Sequence, residues 1–257
     1  MYRTNLKRAL TYNAEIIEWD IKSGNTSMME AYNLYPYEKI LKINNLPKDK
    51  RNRTVGYIMQ KDKVFAKNLE SSFNITVENF LKCNGLDYDF DVLSIKRDAV
   101  FVINHDIKES HFIPRIDGSY VINFVPKNYY HGALLLKDYE FYLRNDDRID
   151  IKGINDEEYN LHEKGMLLFI KEVFKRLETR AKIDVHDYMS AFIKAYKHKQ
   201  LPFEYYREFC PRGGFRVNFG DDIGIFDYLN EEDLIDLDIS YNYKNIILPL
   251  LENLVIL

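Results

Sequence analysis

The first apolar stretch of the chain ends on a carboxylate. Residues 14–21, AEIIEWDI, have the apolar and branched composition of a β-strand, with Asp20 close to its end. Small polar residues follow directly over 23–27, and residues of this kind are common in turns. Two interpretations stay open at this point. Asp20 stands at an ordinary surface turn, or it is a metal-binding carboxylate placed at a strand end.

The apolar positions that follow predict a helical insertion. We expect a short helix after Ser27 that breaks at Pro36, because proline cannot continue a helix. A basic run over 46–53 precedes a helical segment over 54–83, and Pro47 within that run suits a helix start.

Beyond this insertion the pattern predicts strands. Residues 89–106 form two apolar halves separated by the polar residues 96–98, which predicts a β-hairpin with a short turn. Further strands are expected at 111–116, 120–125, 133–143 and 148–154. The last two are joined around 145–147 in a second hairpin.

The C-terminal third has a helical period instead. Apolar residues recur at helical spacing over 157–181. A second helix is expected over 185–200, with Asp184 as its cap, and a third from Asn242 to the end of the chain. The chain is therefore predicted to be α+β, with an N-terminal sheet, an inserted helical region and a mostly helical C-terminal third.

Composition and charge limit the functions that fit. With 257 residues the chain has room for one large domain or two small ones. Its net charge is −4, so any contact with nucleic acid has to come from a local basic patch such as 48–53. The two cysteines and six histidines have no metal-binding spacing, which excludes a zinc site of the usual kind. We find no signal peptide or membrane span, so we expect a cytoplasmic protein with no membrane partner.

Two acidic residues stand at strand breaks, Asp20 and Asp98. Phosphoryl transfer by two metal ions needs carboxylates from separate, adjacent strands, and oxygen ligands suit Mg²⁺. An aspartate in a turn is usually only a turn former, so neither residue alone indicates a site. The pair predicts a site for two Mg²⁺ ions, provided that the hairpin lies beside the first strand.

The order of motifs resembles that of family B DNA polymerases. Asp20, Ser23 and Ser27 match the first palm motif, D-x-x-S-L-Y-P-S. Lys48, Asn52 and Gly56 match the fingers motif K-x-x-x-N-S-x-Y-G, and VLSIKRDAVFV resembles the motif Y-G-D-T-D-S-V-F-V with Asp98 on the second aspartate. Residues 72–82 resemble the helix that returns to the palm. Residues 134–143 and 148–156 resemble the primer-binding hairpin, and residues 237–257 resemble the closing segment of the family.

This resemblance implies a fold and a set of roles. It implies a palm with an antiparallel sheet (1–30 and 86–156), minimal helical fingers with a return helix (31–85) and a helical thumb with the C-terminal segment (157–257). Asp20 and Asp98 would be catalytic and would hold two Mg²⁺ ions with the carbonyl of Ile21. The implied contacts to the nucleotide are Ser23, Gly24, Asn25, Lys48, Arg51 and Asn52, and those to the primer are Lys137, Tyr139 and Lys152. The implied partners are a DNA primer-template, nucleoside triphosphates and a separate exonuclease or other replisome subunit.

The chain also departs from the family pattern. Lys96 replaces the first aspartate of D-T-D, and Gly24-Asn25 replace the Leu-Tyr pair whose tyrosine excludes the 2′-hydroxyl in the family. No exonuclease region stands before Asp20. These features predict a proofreading-free polymerase or the catalytic part of a split one, as would suit a bacteriophage gene acting in the host cytoplasm. Two alternatives stay open, a primase-like enzyme that accepts ribonucleotides and a catalytically silent palm-thumb module that binds DNA or a replisome protein.

Overall fold

The computed structural model describes residues 2–105, 107, 122–135, 139–153, 169–179, 182–198, 200–201, 208–209, 215–219 and 222–226. The strands in these ranges are β1 (Tyr2–Thr4), β2 (Leu10–Ile21), β3 (Val92–Lys96), β4 (Ala99–Ile103), β5 (Phe124–Leu135), β6 (Glu140–Arg144), β7 (Ile149–Lys152), β8 (Glu208–Phe209), β9 (Phe215–Phe219) and β10 (Asp222–Phe226). The helices are α1 (Gly24–Ala31), α2 (Tyr37–Asn44), α3 (Lys48–Lys61), α4 (Lys63–Cys83), α5 (Tyr88–Asp91), α6 (169–179) and α7 (Lys182–Lys197), with a 3₁₀ turn at Leu6–Arg8.

The main sheet has seven strands in the order β1-β3-β4-β2-β5-β6-β7. Strand β2 pairs antiparallel with β4 on one side and with β5 on the other, and β3 pairs antiparallel with β1 and β4. A second, three-stranded antiparallel sheet has the order β10-β9-β8. The chain is therefore α+β with antiparallel sheets, as its sequence predicts.

The chain forms two compact units. The first comprises Met1–Leu135 with Leu143–Arg148, and the second comprises Leu136–Tyr142 with Ile149–Leu257. No helix in the part of the chain that the structure describes is both long and apolar enough to cross a membrane.

Helix α4 supplies much of the hydrophobic core of the first unit. Its buried apolar residues recur every three or four positions, which places them on one face of the helix: Phe65, Leu69, Phe73, Val77 and Phe80. That face packs in one cluster with Trp19 and Ile21 of β2 and with Phe124 of β5, whose ring centroid lies 4.1 Å from that of Phe80. One side of the sheet is thereby buried against helices, and the alternate residues of β2 point to its other side.

The helical insertion follows the predicted order with shifted boundaries. Helix α1 begins at Gly24, before the expected start after Ser27. The basic residues of the run lie inside α3, because that helix starts directly after Pro47. The segment expected as one helix over 54–83 is divided at Asp62, which caps α4 by accepting a hydrogen bond from the Phe65 amide at 2.9 Å.

The strand predictions hold in part. The first strand is longer than the predicted 14–21, and the hairpin around 96–98 is present as β3 and β4. The single strand expected over 133–143 is divided between β5 and β6. The second hairpin is confirmed by a hydrogen bond of 2.8 Å from the Arg144 amide to the Arg148 carbonyl.

The described part of the C-terminal third contains strands as well as helices. Residues 169–179 are helical as expected, but Asp184 lies in the first turn of α7 and is not its cap, a place where a carboxylate favours the helix dipole. Strands β8 to β10 differ from the helical thumb that the sequence predicts, and the alternation of apolar and polar residues over 215–219 is the strand signal there. The strand expected at 111–116 and the helix expected from Asn242 lie outside the described residues.

Replacing Phe80 by alanine should strongly destabilise the first unit. The side chain is fully buried and stacks on Phe124, so its removal leaves a cavity and should lower the free energy of unfolding by about 3–5 kcal/mol. The matched control on the same helix is Ile75→Ala, which removes an exposed side chain and should change stability by less than about 0.5 kcal/mol. Urea unfolding followed by circular dichroism measures both. Equal losses for the two variants would contradict this account of the core.

Candidate functional site

The β3–β4 hairpin lies beside β2 and brings Asp98 to the end of that strand. Asp20 is opposite Ala99, the first residue of β4, and the amide of Ile21 donates a hydrogen bond of 2.9 Å to the carbonyl of Asp98. Asp20, near the end of β2, and Asp98, in the turn that precedes β4, therefore lie at the same end of the sheet. This is the adjacency that the sequence predicts for the pair.

Arg97 holds the turn against helix α4. Its backbone has φ +48°, an uncommon value for a residue with a side chain. Its guanidinium forms an ion pair of 2.9 Å with Glu70 and lies 4.5 Å from the centre of the Phe73 ring. Because both partners are on α4, these contacts fix the turn and therefore the position of the neighbouring Asp98.

Gly24 allows helix α1 to begin directly against Asp98. A Cβ atom at Gly24 would lie 3.1 Å from Oδ2 of Asp98 and 3.2 Å from Cε1 of Phe73, which is tighter than ordinary contact. Ser23, with φ +55°, turns the chain from the strand into this helix. The close approach gives a physical reason for glycine at this position, since a larger side chain would displace the Asp98 carboxylate.

Lys127 reaches Asp20 from a β-bulge in β5. Glu18 is opposite Asn128 and Trp19 is opposite Pro126, so Lys127 is an extra residue in β5 at this point. A bulge changes the direction of the side chain that it carries. The Nζ atom of Lys127 donates to Oδ2 of Asp20 at 2.7 Å and lies 3.5 Å from Oε1 of Glu18.

Glu18 is a buried carboxylate on the same face of β2 as Asp20. Only 3 % of its side chain is exposed. Its Oε2 atom accepts hydrogen bonds from Nδ2 of Asn128 at 2.7 Å and from the hydroxyl of Tyr130 at 2.9 Å. Two donors and the nearby ammonium of Lys127 compensate for the loss of water around this charge.

Sequence reasoning missed Glu18, Lys127, Asn128 and Tyr130. A signal was present for the first of them, because residues two apart on a strand share a face, so Glu18 accompanies Asp20. The other three lie on β5. Its pairing with β2 and the bulge are long-range features that one sequence does not show.

The charges at this site change the pKa values of Asp98 and Lys127. Burial raises the pKa of Asp98, and the negative charge of Asp20 raises it further, while Arg97 and Lys127 act in the opposite direction. Partial burial alone would lower the pKa of Lys127. The hydrogen bonds and charges of Asp20 and Glu18 outweigh that effect, so the pKa of Lys127 is raised and its ammonium form is favoured.

The pair of carboxylates suits a cation that takes most of its ligands from elsewhere. Among the described residues, no group of three or more His, Cys, Asp or Glu side chains is arranged to hold a metal. Mg²⁺ commonly takes one or two protein carboxylates with water and substrate phosphates as its other ligands. A cation between Asp20 and Asp98 would also relieve their repulsion, so these two residues fit Mg²⁺, with the Ile21 carbonyl as a further candidate ligand.

The other predicted contact residues lie on several elements. Ser23, Gly24 and Asn25 are at the start of α1, and Oδ1 of Asn25 is buried with no hydrogen-bond partner in the described part of the chain. Three more of these residues are on α3, where Lys48 and Asn52 are exposed and Arg51 is half-buried. Tyr139 and Lys152 belong to the second compact unit, and Lys137 lies outside the described residues.

Replacing Asp98 by asparagine should change the pH dependence of stability. A carboxyl with a raised pKa binds its proton more tightly in the folded chain, so its ionisation lowers stability. This loss of stability is absent below pH 3.8, the ordinary pKa of the carboxyl group. It grows as the pH rises through the raised pKa and is complete above it. The free energy of unfolding of the Asp98→Asn variant, minus that of the natural chain, should therefore increase over this range. Urea unfolding from about pH 3 to about pH 8 measures it.

Asp146→Asn is the control with the opposite sign. Hydrogen bonds from Arg148, including one of 2.7 Å from Nε, lower the pKa of Asp146. Its ionisation therefore stabilises the fold, with a contribution that is present above 3.8 and is lost as the pH falls through the lowered pKa. The free energy of unfolding of the Asp146→Asn variant, minus that of the natural chain, should therefore decrease as the pH rises. A flat difference for Asp98→Asn beside a decreasing one for Asp146→Asn would contradict the environment described for Asp98.

Comparison with known proteins identifies the family. A family model described as "Bacteriophage PBS1 gene 130 protein" matches residues 2–256. No curated protein matches the chain. The expectation of a bacteriophage protein is thereby confirmed. The chain belongs to the bacteriophage PBS1 gene 130 protein family.

Proposed function

We propose that this phage protein is a template-directed nucleotidyltransferase, a DNA polymerase that adds nucleotides to the 3′-hydroxyl of a primer. The observation that carries the proposal is the pair Asp20, near the end of β2, and Asp98, in the β3–β4 turn, which lie at the same end of the sheet. Their separation along the chain excludes a local turn as the reason for their proximity. Adjacent carboxylates of this kind are what two-metal phosphoryl transfer requires.

The order of elements supports a palm. The strand with the first carboxylate leads into the helices α1 to α4, and α4 packs beneath the sheet before the chain returns as the hairpin with the second carboxylate. The resemblance to family B polymerases implies the same order, with fingers inserted between the two carboxylate motifs. A helical insertion of this size corresponds to the minimal fingers proposed for residues 31–85.

Each group in the site has a proposed role. Asp20 and Asp98, with the carbonyl of Ile21, would hold Mg²⁺. Bound there, Mg²⁺ lowers the pKa of the primer hydroxyl and balances the charge of the triphosphate and the departing pyrophosphate. The amides at the start of α1, over Ser23–Asn25, would bind phosphate oxygens, because the N-terminus of a helix favours an anion.

Residues outside the carboxylate pair would bind the polymer and the nucleotide. The positive charges of the exposed Lys48 and the half-buried Arg51, with Asn52, would contact the triphosphate. Lys137, Tyr139 and Lys152 would hold the primer strand. The proposed partners are a DNA primer-template and nucleoside triphosphates, with a separate exonuclease or other replisome subunit for proofreading.

Asn25 favours a second candidate function, a primase-like enzyme. It stands where the related polymerases have the tyrosine that excludes the 2′-hydroxyl. Its buried Oδ1 has no donor among the described residues. A ribose 2′-hydroxyl is a donor that would satisfy such an acceptor, and burying an unpaired amide oxygen is costly. The ion pair between Lys127 and Asp20 favours a third candidate, a silent palm-thumb module, since it neutralises Asp20 without a metal.

Asp20→Asn and Asp98→Asn should each abolish primer extension. Each variant removes one charged ligand of Mg²⁺, so we expect the rate of extension to fall by at least about 100-fold. The assay is Mg²⁺-dependent extension of a labelled primer on a DNA template by the full chain. Asp89→Asn is the matched control, because Asp89 forms a surface ion pair with Lys7 at the opposite end of β3. Undiminished activity in both site variants would disprove the two-metal proposal, and no activity in the natural chain would favour the silent module.

Asn25→Tyr should shift sugar selection toward deoxyribonucleotides. The substitution restores the aromatic residue of the related polymerases, so the ratio of ribonucleotide to deoxyribonucleotide incorporation should fall by about tenfold or more. Competing the two nucleotide types in the same extension assay measures this ratio. Asn68→Tyr, at an exposed position on α4 outside the proposed site, is the control for adding a tyrosine. An unchanged ratio for Asn25→Tyr would mean that residue 25 does not contact the sugar.

A further inference from the structure

The bulge in β5 places one ammonium group between two carboxylates. Nζ of Lys127 is 2.7 Å from Oδ2 of Asp20 and 3.5 Å from Oε1 of Glu18. In a regular strand, side chains alternate between the two faces, and the register shift interrupts this alternation at Lys127. The local backbone is therefore arranged so that Lys127 reaches both acids.

The position of Nζ conflicts with a divalent cation on Asp20. A metal ligated by Oδ2 would lie within a few ångströms of the ammonium, and two positive charges at that distance repel strongly. The Lys127 side chain is about half exposed, at 47 %, and its flexible four-carbon stem can take other rotamers. The lysine can therefore leave Asp20 without any change in the backbone.

Glu18 provides the place to which Lys127 can move. Its carboxylate is buried and is already within ion-pair distance of the ammonium. A buried carboxylate keeps a strong preference for a positive partner, whereas Asp20, with 21 % of its side chain exposed, keeps some contact with water. A small movement of Nζ from Asp20 toward Glu18 would free Oδ2 and keep the buried charge paired.

We propose that Lys127 is a built-in counter-ion of the site, paired with Asp20 when no metal is bound and transferred to Glu18 when a divalent cation binds. It acts as a positioning residue that lowers the affinity of Asp20 for the cation. This inference rests on the proposed function, in which Asp20 and Asp98 hold Mg²⁺. It adds a regulatory element that sets how much Mg²⁺ the site requires.

Titration calorimetry with MgCl₂ on the full chain tests this role without any measurement of activity. Lys127→Met removes the charge and keeps the length of the side chain, so the dissociation constant for Mg²⁺ should fall by about tenfold, the loss of one hydrogen bond to a charged group. Lys127→Arg keeps the charge and should restore the natural affinity to within a few fold. The rise in melting temperature caused by MgCl₂ gives an independent measure of the same binding.

A variant of Glu18 distinguishes the transfer of Lys127 to Glu18 from simple competition between Lys127 and Mg²⁺ for Asp20. Glu18→Gln keeps acceptors for Asn128 and Tyr130 but removes the charge that would receive Lys127. The lysine should then remain on Asp20, and Mg²⁺ should bind more weakly than in the natural chain. In the double variant Glu18→Gln/Lys127→Met the affinity should return to that of Lys127→Met. Equal effects of Glu18→Gln with and without Lys127 would contradict the transfer.

The outcomes distinguish this inference from the proposed function. Tighter binding by Lys127→Met that Asp20→Asn abolishes supports the inference, and it does so even if the natural chain binds no Mg²⁺, a result that would count against the polymerase. Equal binding by the natural chain and Lys127→Met would overturn the inference and leave the metal site standing. Absence of binding in both, at millimolar MgCl₂, would overturn both proposals.

Discussion

The structure of the first unit depends on the pairing of β2 with a strand on each side. Strand β4 carries the hairpin turn to the end of β2 and so places Asp98 beside Asp20. Strand β5 carries the bulge that brings Lys127 to Asp20 and Glu18. Neither neighbour alone forms the site, because the second carboxylate comes from one side and the ammonium from the other. A central position for β2 is therefore the constraint from which the arrangement of charges follows.

The same strand serves the core and the site because its residues alternate between two faces. Trp19 and Ile21 point toward α4 and are buried in the apolar cluster, while Glu18 and Asp20 point to the other face. Packing against α4 thereby fixes the register of β2, since a slip by one residue would place carboxylates in the apolar core. The hydrophobic contacts hold the charged residues in place without touching them.

The sequence was sufficient for the features that depend on local pattern. The hairpin at 96–98, the strand ending near Asp20 and the helical insertion are local, and the proximity of Asp20 to Asp98 follows once the hairpin pairs with β2. The bulge at Lys127 and the three-stranded sheet of the C-terminal third depend on which strands meet, and one sequence does not contain that information. Gly24 lies between these cases. The glycine itself is visible in the sequence, but the closeness of Asp98 that favours a residue without a side chain is visible only in three dimensions.

The balance of positive and negative charges at the site affects the stability of the fold when no metal is bound. Burial raises the pKa of Asp98, and the negative charge of the neighbouring Asp20 raises it further. A third carboxylate at position 96 would increase the repulsion between Asp20 and Asp98, and this chain has Lys96 there instead. Lys127 adds a positive charge within hydrogen-bond distance of Asp20. Lys127 therefore balances part of the negative charge of these carboxylates, and in the role proposed for Lys127 the binding of a cation exchanges one positive charge for another.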